Sequence, residues 1–156
     1  SREGEGTCFS IYFPVYYGEA AVASAVPARD IKYAGEETIL LVEDNQMVLD
    51  FATHILEEAG FRVLEAQSGE SALEMDQSYS GIIDLLVTDV IMPGINGKAL
   101  AEILRKKRPE IKVILTSGYT EDIINQQNVK GDGTGFLGKP YSANTLLRKV
   151  REILDI

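Results

Sequence analysis

The chain has 156 residues, of which 45% are hydrophobic and 25% are charged, and these proportions are typical of one soluble globular domain. The formal net charge of -9 argues against nucleic acid as a direct partner, because a phosphate backbone attracts a basic surface. No apolar stretch approaches the roughly 20 residues that cross a bilayer, so we expect no membrane contact by this segment. The single cysteine, Cys8, excludes an internal disulfide and favours a reducing, cytoplasmic compartment.

Residues 1–17 contain a glycine-rich turn and then a predicted strand, in which Phe9, Ile11 and Phe13 recur with a period of two. The stretch Gly-Glu-Gly-Thr-Cys-Phe-Ser-Ile-Tyr-Phe-Pro at 4–14 resembles the last glycine box and closing strand of histidine-kinase ATP-binding domains. A nucleotide pocket needs a complete domain, so we expect no ATP binding by this remnant. A strand without its own sheet has unpaired backbone groups, and this predicts docking on the next domain or pairing with a second copy.

Residues 18–36 lack periodicity and are rich in alanine, which predicts a linker. From residue 37 onward, the pattern predicts alternating strands and helices, and we assign 37–156 to one domain. The predicted strands are 38–42, 61–65, 85–89, 112–116 and 136–137. The predicted helices are one with an apolar stripe of Val48, Phe51, Ala52, Ile55 and Ala59, one from Ser68 through Leu73, and others near 97–108, 121–127 and 142–154. Short connections between such elements predict a parallel sheet with helices on both faces.

The predicted strand at 85–89 is the centre of this arrangement. Its sequence, Leu-Leu-Val-Thr-Asp, is almost entirely apolar, and such a run suits a central strand that is covered on both faces. The Met-Pro-Gly at 92–94 then forces a turn. Asp89 is therefore delivered to the carboxyl edge of the sheet, where α/β folds place their sites.

Two further carboxylates, Glu43 and Asp44, follow the first predicted strand and are expected at the same edge as Asp89. Three converging carboxylates repel one another, so either some are protonated or a hard divalent cation neutralises them. Oxygen ligands without cysteine or histidine favour Mg²⁺ or Mn²⁺ over zinc.

The remaining polar groups at this edge suit phosphoryl chemistry. A carboxylate such as Asp89 can act as a nucleophile on phosphorus and form an acyl phosphate. A cation together with Lys139, which follows the fifth strand, can stabilise charge on the transferred group. A hydroxyl of Thr116 or Ser117 can donate to one of its oxygens, and only one of the two can do so because they point to opposite faces of a strand.

Residues 37–156 resemble a receiver domain of two-component response regulators. The matching motifs are Leu-Val-Glu-Asp-Asn at 41–45, Asp-Val-Ile-Met-Pro-Gly-Ile-Asn-Gly at 89–97, Leu-Thr-Ser-Gly-Tyr at 115–119 and Phe-Leu-Gly-Lys-Pro at 136–140. The resemblance implies a doubly wound, flavodoxin-like sheet of five parallel strands in the order 2-1-3-4-5. It also implies that Asp89 is the phosphoacceptor, supplied by a phosphohistidine-bearing kinase or phosphotransfer domain.

By the same resemblance, Asp44 ligates Mg²⁺ directly, Glu43 assists, often through water, and the backbone carbonyl of Ile91 supplies another ligand beside Asp89. The spacing within the family selects Ser117 rather than Thr116 as the switch hydroxyl.

The resemblance assigns Lys139 to the phosphate and Phe136 to the position of the switch aromatic. It also implies a cis Lys139–Pro140 bond. A domain of this kind can further self-associate through its last helices.

Two departures from the family pattern affect the expected behaviour. Phe136 lacks the hydroxyl of a tyrosine, so its inward state can only pack. Ile91 and Tyr119 place apolar bulk where some receivers have polar groups that orient water, and this predicts slow self-dephosphorylation. His54 lies off the apolar stripe of its helix, which favours a solvated position over a phosphorylated one.

Four interpretations follow for the function. The kinase-like leader favours the C-terminal part of a hybrid histidine kinase, in which this fragment is a phosphoacceptor rather than an enzyme. A stand-alone response regulator is the alternative. A Mg²⁺-dependent phosphatase would usually carry a second acid two residues after its nucleophile, where this chain has Ile91. A flavin-binding module would need a phosphate-cradling loop after the first strand, where Glu43 and Asp44 would repel phosphate.

Overall fold

A computed structural model describes residues 10, 12, 33–118 and 133–156. Its elements are β1 (Thr38–Val42), α1 (Gln46–Glu58), β2 (Arg62–Ala66), α2 (Gly69–Ser78), β3 (Leu85–Asp89), α3 (Gly97–Lys107), β4 (Lys112–Ser117), β5 (Thr134–Gly138) and α4 (Ala143–Leu154). Most of the predicted leader strand, most of the predicted linker and the helix predicted at 121–127 lie outside the described residues. None of the helices in the described ranges combines the length and apolar character that crossing a bilayer requires.

The five strands form one parallel sheet in the order β2-β1-β3-β4-β5, which confirms the predicted order. The register pairs Val42 with Thr88, Asp89 with Thr116, and Ser117 with Gly138. Because all strands run in the same direction, these pairs place the carboxyl ends of the central strands at one edge.

Helices cover both faces of the sheet, as predicted, and each face has its own apolar core. Alternation along β1 directs Ile39 and Leu41 towards α1 and α4, and Leu40 and Val42 towards α2 and α3. These β1 side chains are almost fully buried, which explains why the central strands are continuously apolar.

The predicted apolar stripe of α1 is confirmed at Ala52 and Ile55, which are buried, and was wrong at Phe51. The buried residues of the helix are Leu49, Ala52, Thr53, Ile55 and Leu56. Of the predicted stripe, Phe51 is 47% exposed and Val48 is only half-buried. Leu49 and Leu56 are seven residues apart, so they lie on one face of the helix, and this is the face that packs on the core. Phe51 instead lies beside Tyr141, with ring centroids 6.5 Å apart.

Two elements are longer than predicted. Helix α2 begins at the Ser68 cap, where Ser68 and Ser71 form a capping box, but it continues to Ser78 rather than ending at Leu73. Strand β5 begins at Thr134 because its pairing with β4 passes through Gly135. A Cβ at Gly135 would lie 2.8 Å from the side chain of Ile153, so a glycine inside this strand permits close packing of α4.

The described end of the predicted linker is attached to the domain. The Gly35 N–H donates to the Ala59 carbonyl over 3.2 Å. The Arg151 guanidinium of α4 donates to the Ala34 carbonyl at 3.2 Å and to Glu37 Oε1 at 2.6 Å. The chain therefore enters the domain at the amino edge of the sheet, opposite the edge that carries Asp89.

A buried ion pair ties α2 to the C-terminal end of α3. Asp76, on α2, is buried, and its carboxylate accepts hydrogen bonds from Arg108 at 2.6 Å and Lys107 at 3.2 Å. Arg108 also donates to the carbonyls of Tyr79 and Gly81, in the segment that leads to β3. Burial alone would raise the pKa of Asp76, but the hydrogen bonds from Arg108 and Lys107 hold it below its ordinary value.

We predict that Asp76→Asn lowers the free energy of unfolding by about 1–3 kcal/mol near pH 7, because it leaves the Arg108 charge without its carboxylate. A lowered folded pKa stabilises the protein above the unfolded value of about 4, and this stabilisation is lost as the pH falls through the folded pKa. The difference between wild type and variant should therefore shrink towards acid pH. Urea denaturation at several pH values measures it.

Asp155→Asn is the matched control, since Asp155 is an exposed carboxylate paired with Arg151. A loss of stability in Asp76→Asn that does not change with pH, or that Asp155→Asn reproduces, would contradict the assignment.

Candidate phosphoryl and metal site

The carboxyl edge of the sheet gathers the predicted site residues. Backbone hydrogen bonds continue past the strand ends and fix the residues that follow them. The Glu43 N–H donates to the Ala66 carbonyl at 3.1 Å, and the Lys139 N–H donates to the Ser117 carbonyl at 2.8 Å. These hydrogen bonds fix the backbone of Glu43 and Lys139 relative to the sheet.

Three carboxylates converge at this edge, as predicted. Glu43, Asp44 and Asp89 each offer an oxygen, and these oxygens all lie within 4.8 Å of one another. Glu43 is 4% exposed, Asp89 is half-buried and Asp44 is exposed. An all-oxygen set that is open on one side fits Mg²⁺, which retains several of its waters when it binds to proteins. These residues could therefore hold a divalent cation.

Lys139 lies between two of the three carboxylates. Its Nζ donates to Glu43 Oε2 at 2.6 Å and to Asp89 Oδ2 at 2.5 Å. Burial would lower the pKa of Lys139, but hydrogen bonds with Asp89 and Glu43 raise it above its ordinary value. Burial raises the pKa of Glu43, and the ion pair with Lys139 offsets only part of this effect. The lysine thus stays charged and partly neutralises the cluster.

The carboxylate of Asp89 is oriented by the backbone that follows it. Its Oδ1 accepts a hydrogen bond from the Ile91 N–H at 3.0 Å. Gly97, the first residue of α3, lies so close that a Cβ there would be 2.1 Å from the Asp89 carbonyl oxygen. The glycine therefore permits α3 to begin directly against the strand end. The Ile91 side chain is 55% exposed.

The two hydroxyls on β4 lie on opposite faces, as predicted. Leu115 belongs to the core below α2 and α3, and Ile114 belongs to the core below α1 and α4. Alternation places Ser117 with Leu115 and Thr116 with Ile114. Both hydroxyl residues are buried, and Thr116 Oγ1 has no hydrogen-bond partner among the described residues.

Phe136 lies on the same face as Ser117. It pairs with Leu115 in the register, and its partly buried ring packs against the α2–α3 core. The Lys139–Pro140 bond is cis, which confirms the expectation from the resemblance. Tyr119, the second apolar residue predicted beside the site, lies outside the described residues.

His54 is solvated, as predicted. Its side chain is 74% exposed on α1, and its Nε2 lies 3.7 Å from a carboxylate oxygen of Glu58, one turn along the helix.

Sequence reasoning did not assign Asn45 and Asn96 their roles. Asn45 caps α1, accepting from the Met47 and Val48 N–H groups, and Asn96 caps α3, accepting from Ala99. Both caps were detectable, because an asparagine just before a helix is a common start signal. Each cap begins a helix immediately beside a site carboxylate.

A family model, described as response regulator receiver domain, matches residues 39–151. The chain belongs to the response regulator receiver domain family, and it is a receiver domain of two-component signalling.

The chain is 39% identical to the sensor kinase CckA of Brucella abortus (strain 2308), over 99% of this chain and 17% of that protein. A crystal structure of the receiver domain from the hybrid histidine kinase CckA is 38% identical, with a TM-score of 0.64, and covers 75% of this chain and 98% of its own. A CheY-like receiver domain protein from Methanospirillum hungatei JF-1 is 30% identical, with a TM-score of 0.66, covering 78% and 95%. The chain therefore spans a small part of its curated sensor-kinase relative.

We predict that Mg²⁺ stabilises the protein and that Asp44→Asn removes most of this effect. Mg²⁺ at one hundred times its dissociation constant should raise the free energy of unfolding by about 2.7 kcal/mol if it binds only the folded chain. Without Mg²⁺, Asp44→Asn should be slightly more stable than wild type, because it removes one of three mutually repelling charges. Urea denaturation with and without Mg²⁺ measures both effects.

Asp50→Asn, at an exposed carboxylate on α1 that accepts from Gln46, should respond to Mg²⁺ as wild type does. Equal Mg²⁺ stabilisation of wild type and Asp44→Asn would contradict a metal site at this cluster.

Proposed function

We propose that Asp89 accepts a phosphoryl group from a phosphohistidine of a kinase or phosphotransfer domain. The observation that carries this proposal is the position of the Asp89 carboxylate, at 2.5 Å from the Lys139 ammonium and within the three-carboxylate cluster. A nucleophile, a fixed cation and oxygen ligands for a divalent ion are together at one open edge.

In the proposed step, a carboxylate oxygen of Asp89 forms a bond to phosphorus while the bond from phosphorus to the donor imidazole nitrogen breaks. The imidazole retains the electron pair of that bond. The Ile91 N–H holds the carboxylate in one orientation, so the attacking group is positioned before the donor arrives. The Lys139 ammonium, which donates to Asp89 before the transfer, can then donate to an oxygen of the phosphoryl group. A Mg²⁺ ion bound by Glu43, Asp44 and Asp89 would supply further charge neutralisation.

The proposed response to phosphorylation begins at Ser117. A phosphoryl group on Asp89 adds negative charge and acceptor oxygens, which favour a conformation in which the Ser117 hydroxyl approaches it. Phe136 lies on the same face of the neighbouring strand, so it can enter the space that Ser117 vacates. Phosphorylation then shifts the population between two states and changes the surface near β5 and α4.

For the parent protein, we propose a hybrid histidine kinase. The division is a remnant of the ATP-binding domain at 1–17, a linker at 18–36 and the receiver at 37–156. The match to a sensor kinase over 99% of the chain supports this division, since it includes the leader. The alternative is a stand-alone regulator, as the response regulator receiver protein CpdR of Brucella abortus is 29% identical over 74% of this chain. Either way, we propose that this domain acts in the cytoplasm as a phosphoacceptor rather than as an enzyme.

We predict that acetyl phosphate with Mg²⁺ labels the wild-type chain and leaves Asp89→Asn unlabelled, because the amide is not a nucleophile. Phosphate-affinity electrophoresis or intact mass measures the labelled fraction. Asp155→Asn should label as wild type does. Equal labelling of wild type and Asp89→Asn would contradict the proposed phosphoacceptor.

We also predict that the phosphorylated chain loses its phosphoryl group slowly, and that Ile91→Asn shortens its lifetime. An exposed isoleucine beside Asp89 cannot orient water for attack, whereas an amide can. Ile82→Asn, at another exposed isoleucine, is the matched control and should leave the lifetime unchanged. A wild-type half-life of seconds in Mg²⁺ buffer would contradict the expectation.

A further inference from the structure

The loop between β3 and α3 (residues 90–96, the β3–α3 loop) is held through two backbone amides by two carboxylates. At its start, the Ile91 N–H donates to Asp89 Oδ1 at 3.0 Å. At its far end, the Ile95 N–H donates to Glu70 Oε1, also at 3.0 Å. Glu70 lies in the first turn of α2, 25 residues away along the chain. This second contact has no part in the function proposed above.

Two glycines make the contact between α2 and the loop possible. Gly94 has φ of +72°, and a Cβ there would lie 2.4 Å from Glu70 Oε1. Gly69 lies against the loop from the other side, since a Cβ there would lie 2.6 Å from the Ile95 carbonyl oxygen. A side chain at Gly69 would push α2 and the loop apart, and one at Gly94 would displace the Glu70 carboxylate. The hydrogen bond from the Ile95 N–H to the exposed Glu70 side chain therefore lies where the backbones of α2 and the loop approach closely.

The charge of Glu70 favours the same arrangement. Its position directly after the Ser68 cap places the carboxylate at the positive end of the α2 dipole. Hydrogen bonds from its own backbone N–H and from the Ile95 N–H lower the pKa of Glu70. The carboxylate is thus ionised at neutral pH, and its hydrogen bond to Ile95 is charge-assisted.

We propose that Glu70 is a positioning residue for the phosphoryl site, because it holds the β3–α3 loop and with it the backbone of Ile91. This inference rests on the proposed function and on the expectation from the family resemblance that the Ile91 carbonyl is a further metal ligand. The base of the loop has its own anchor, since the Gly97 N–H donates to the Val90 carbonyl at 3.2 Å. Loss of Glu70 should therefore loosen residues 91–95, including the Ile91 carbonyl, while Asp89 and α3 stay in place.

The test compares Glu70→Ala with Glu70→Gln and Glu74→Ala. The glutamine keeps a carbonyl oxygen that can accept from Ile95, so it separates the hydrogen bond from the charge. Glu74→Ala removes an exposed glutamate one turn further along the same helix, so it controls for net charge and helix propensity. Two quantities are measured: hydrogen exchange of the Ile95 amide by NMR without Mg²⁺, and the rate of labelling by acetyl phosphate against Mg²⁺ concentration.

In Glu70→Ala, we expect exchange at Ile95 to become about tenfold faster, which is the loss of one charge-assisted hydrogen bond. We expect the Mg²⁺ concentration for half-maximal labelling to rise about tenfold, the lower end of the effect of outer-shell substitutions on metal affinity. The labelling rate at saturating Mg²⁺ should change much less, because Glu70 does not touch the reacting atoms. Glu70→Gln should lie between wild type and Glu70→Ala, because its neutral carbonyl still accepts from Ile95 without the charge, and Glu74→Ala should stay close to wild type.

Unchanged exchange at Ile95 in Glu70→Ala would overturn the assignment, as would an unchanged Mg²⁺ midpoint beside faster exchange. Equal effects in Glu74→Ala would overturn it too, because they would reflect the helix or the net charge. If wild type itself shows no Mg²⁺-dependent labelling, the function proposed for Asp89 fails. In that case Glu70 loses its positioning role, even where the exchange data show that it holds the loop.

Discussion

The ion pairs of Lys139 with Glu43 and Asp89 are the interaction on which the rest of the site depends. Three carboxylates within 4.8 Å of one another would separate without a cation between them. The lysine supplies that cation from β5, at the far side of the sheet from β1. The repulsion is only partly relieved, so the cluster can hold a further cation.

The fold supports this arrangement because the strands that carry the site residues are buried on both faces. Two apolar cores, one on each face, hold β1, β3 and β4 so firmly that the residues at their ends have little freedom. Asparagine caps begin α1 and α3 directly beside the carboxylates, and Gly97 allows α3 to approach Asp89. The carboxylates therefore lie together because the ends of the strands and the beginnings of α1 and α3 are adjacent at this edge of the sheet.

The sequence was enough to predict those features that depend on the order of apolar and polar residues along the chain. The apolar run before Asp89 and the polar residues after β1, β4 and β5 predicted the convergence of the carboxylates, whereas the strand order followed from the family resemblance. The inward face of α1 was predicted only in part, because the choice between Leu49 and Phe51 depends on what packs against the helix. The Asp76–Arg108 pair and the Glu70–Ile95 contact join positions 32 and 25 residues apart, and no local pattern announces them.

The central claim is that the carboxylate of Asp89 carries the phosphoryl group. An acyl phosphate is reduced by borohydride to an alcohol, so a phosphorylated aspartate is converted to homoserine while free carboxylates do not react. Peptide mass spectrometry after phosphorylation and reduction then locates the modified residue. We expect homoserine at position 89 and unmodified residues at 43 and 44. Homoserine at position 44, or at any aspartate other than Asp89, would contradict it.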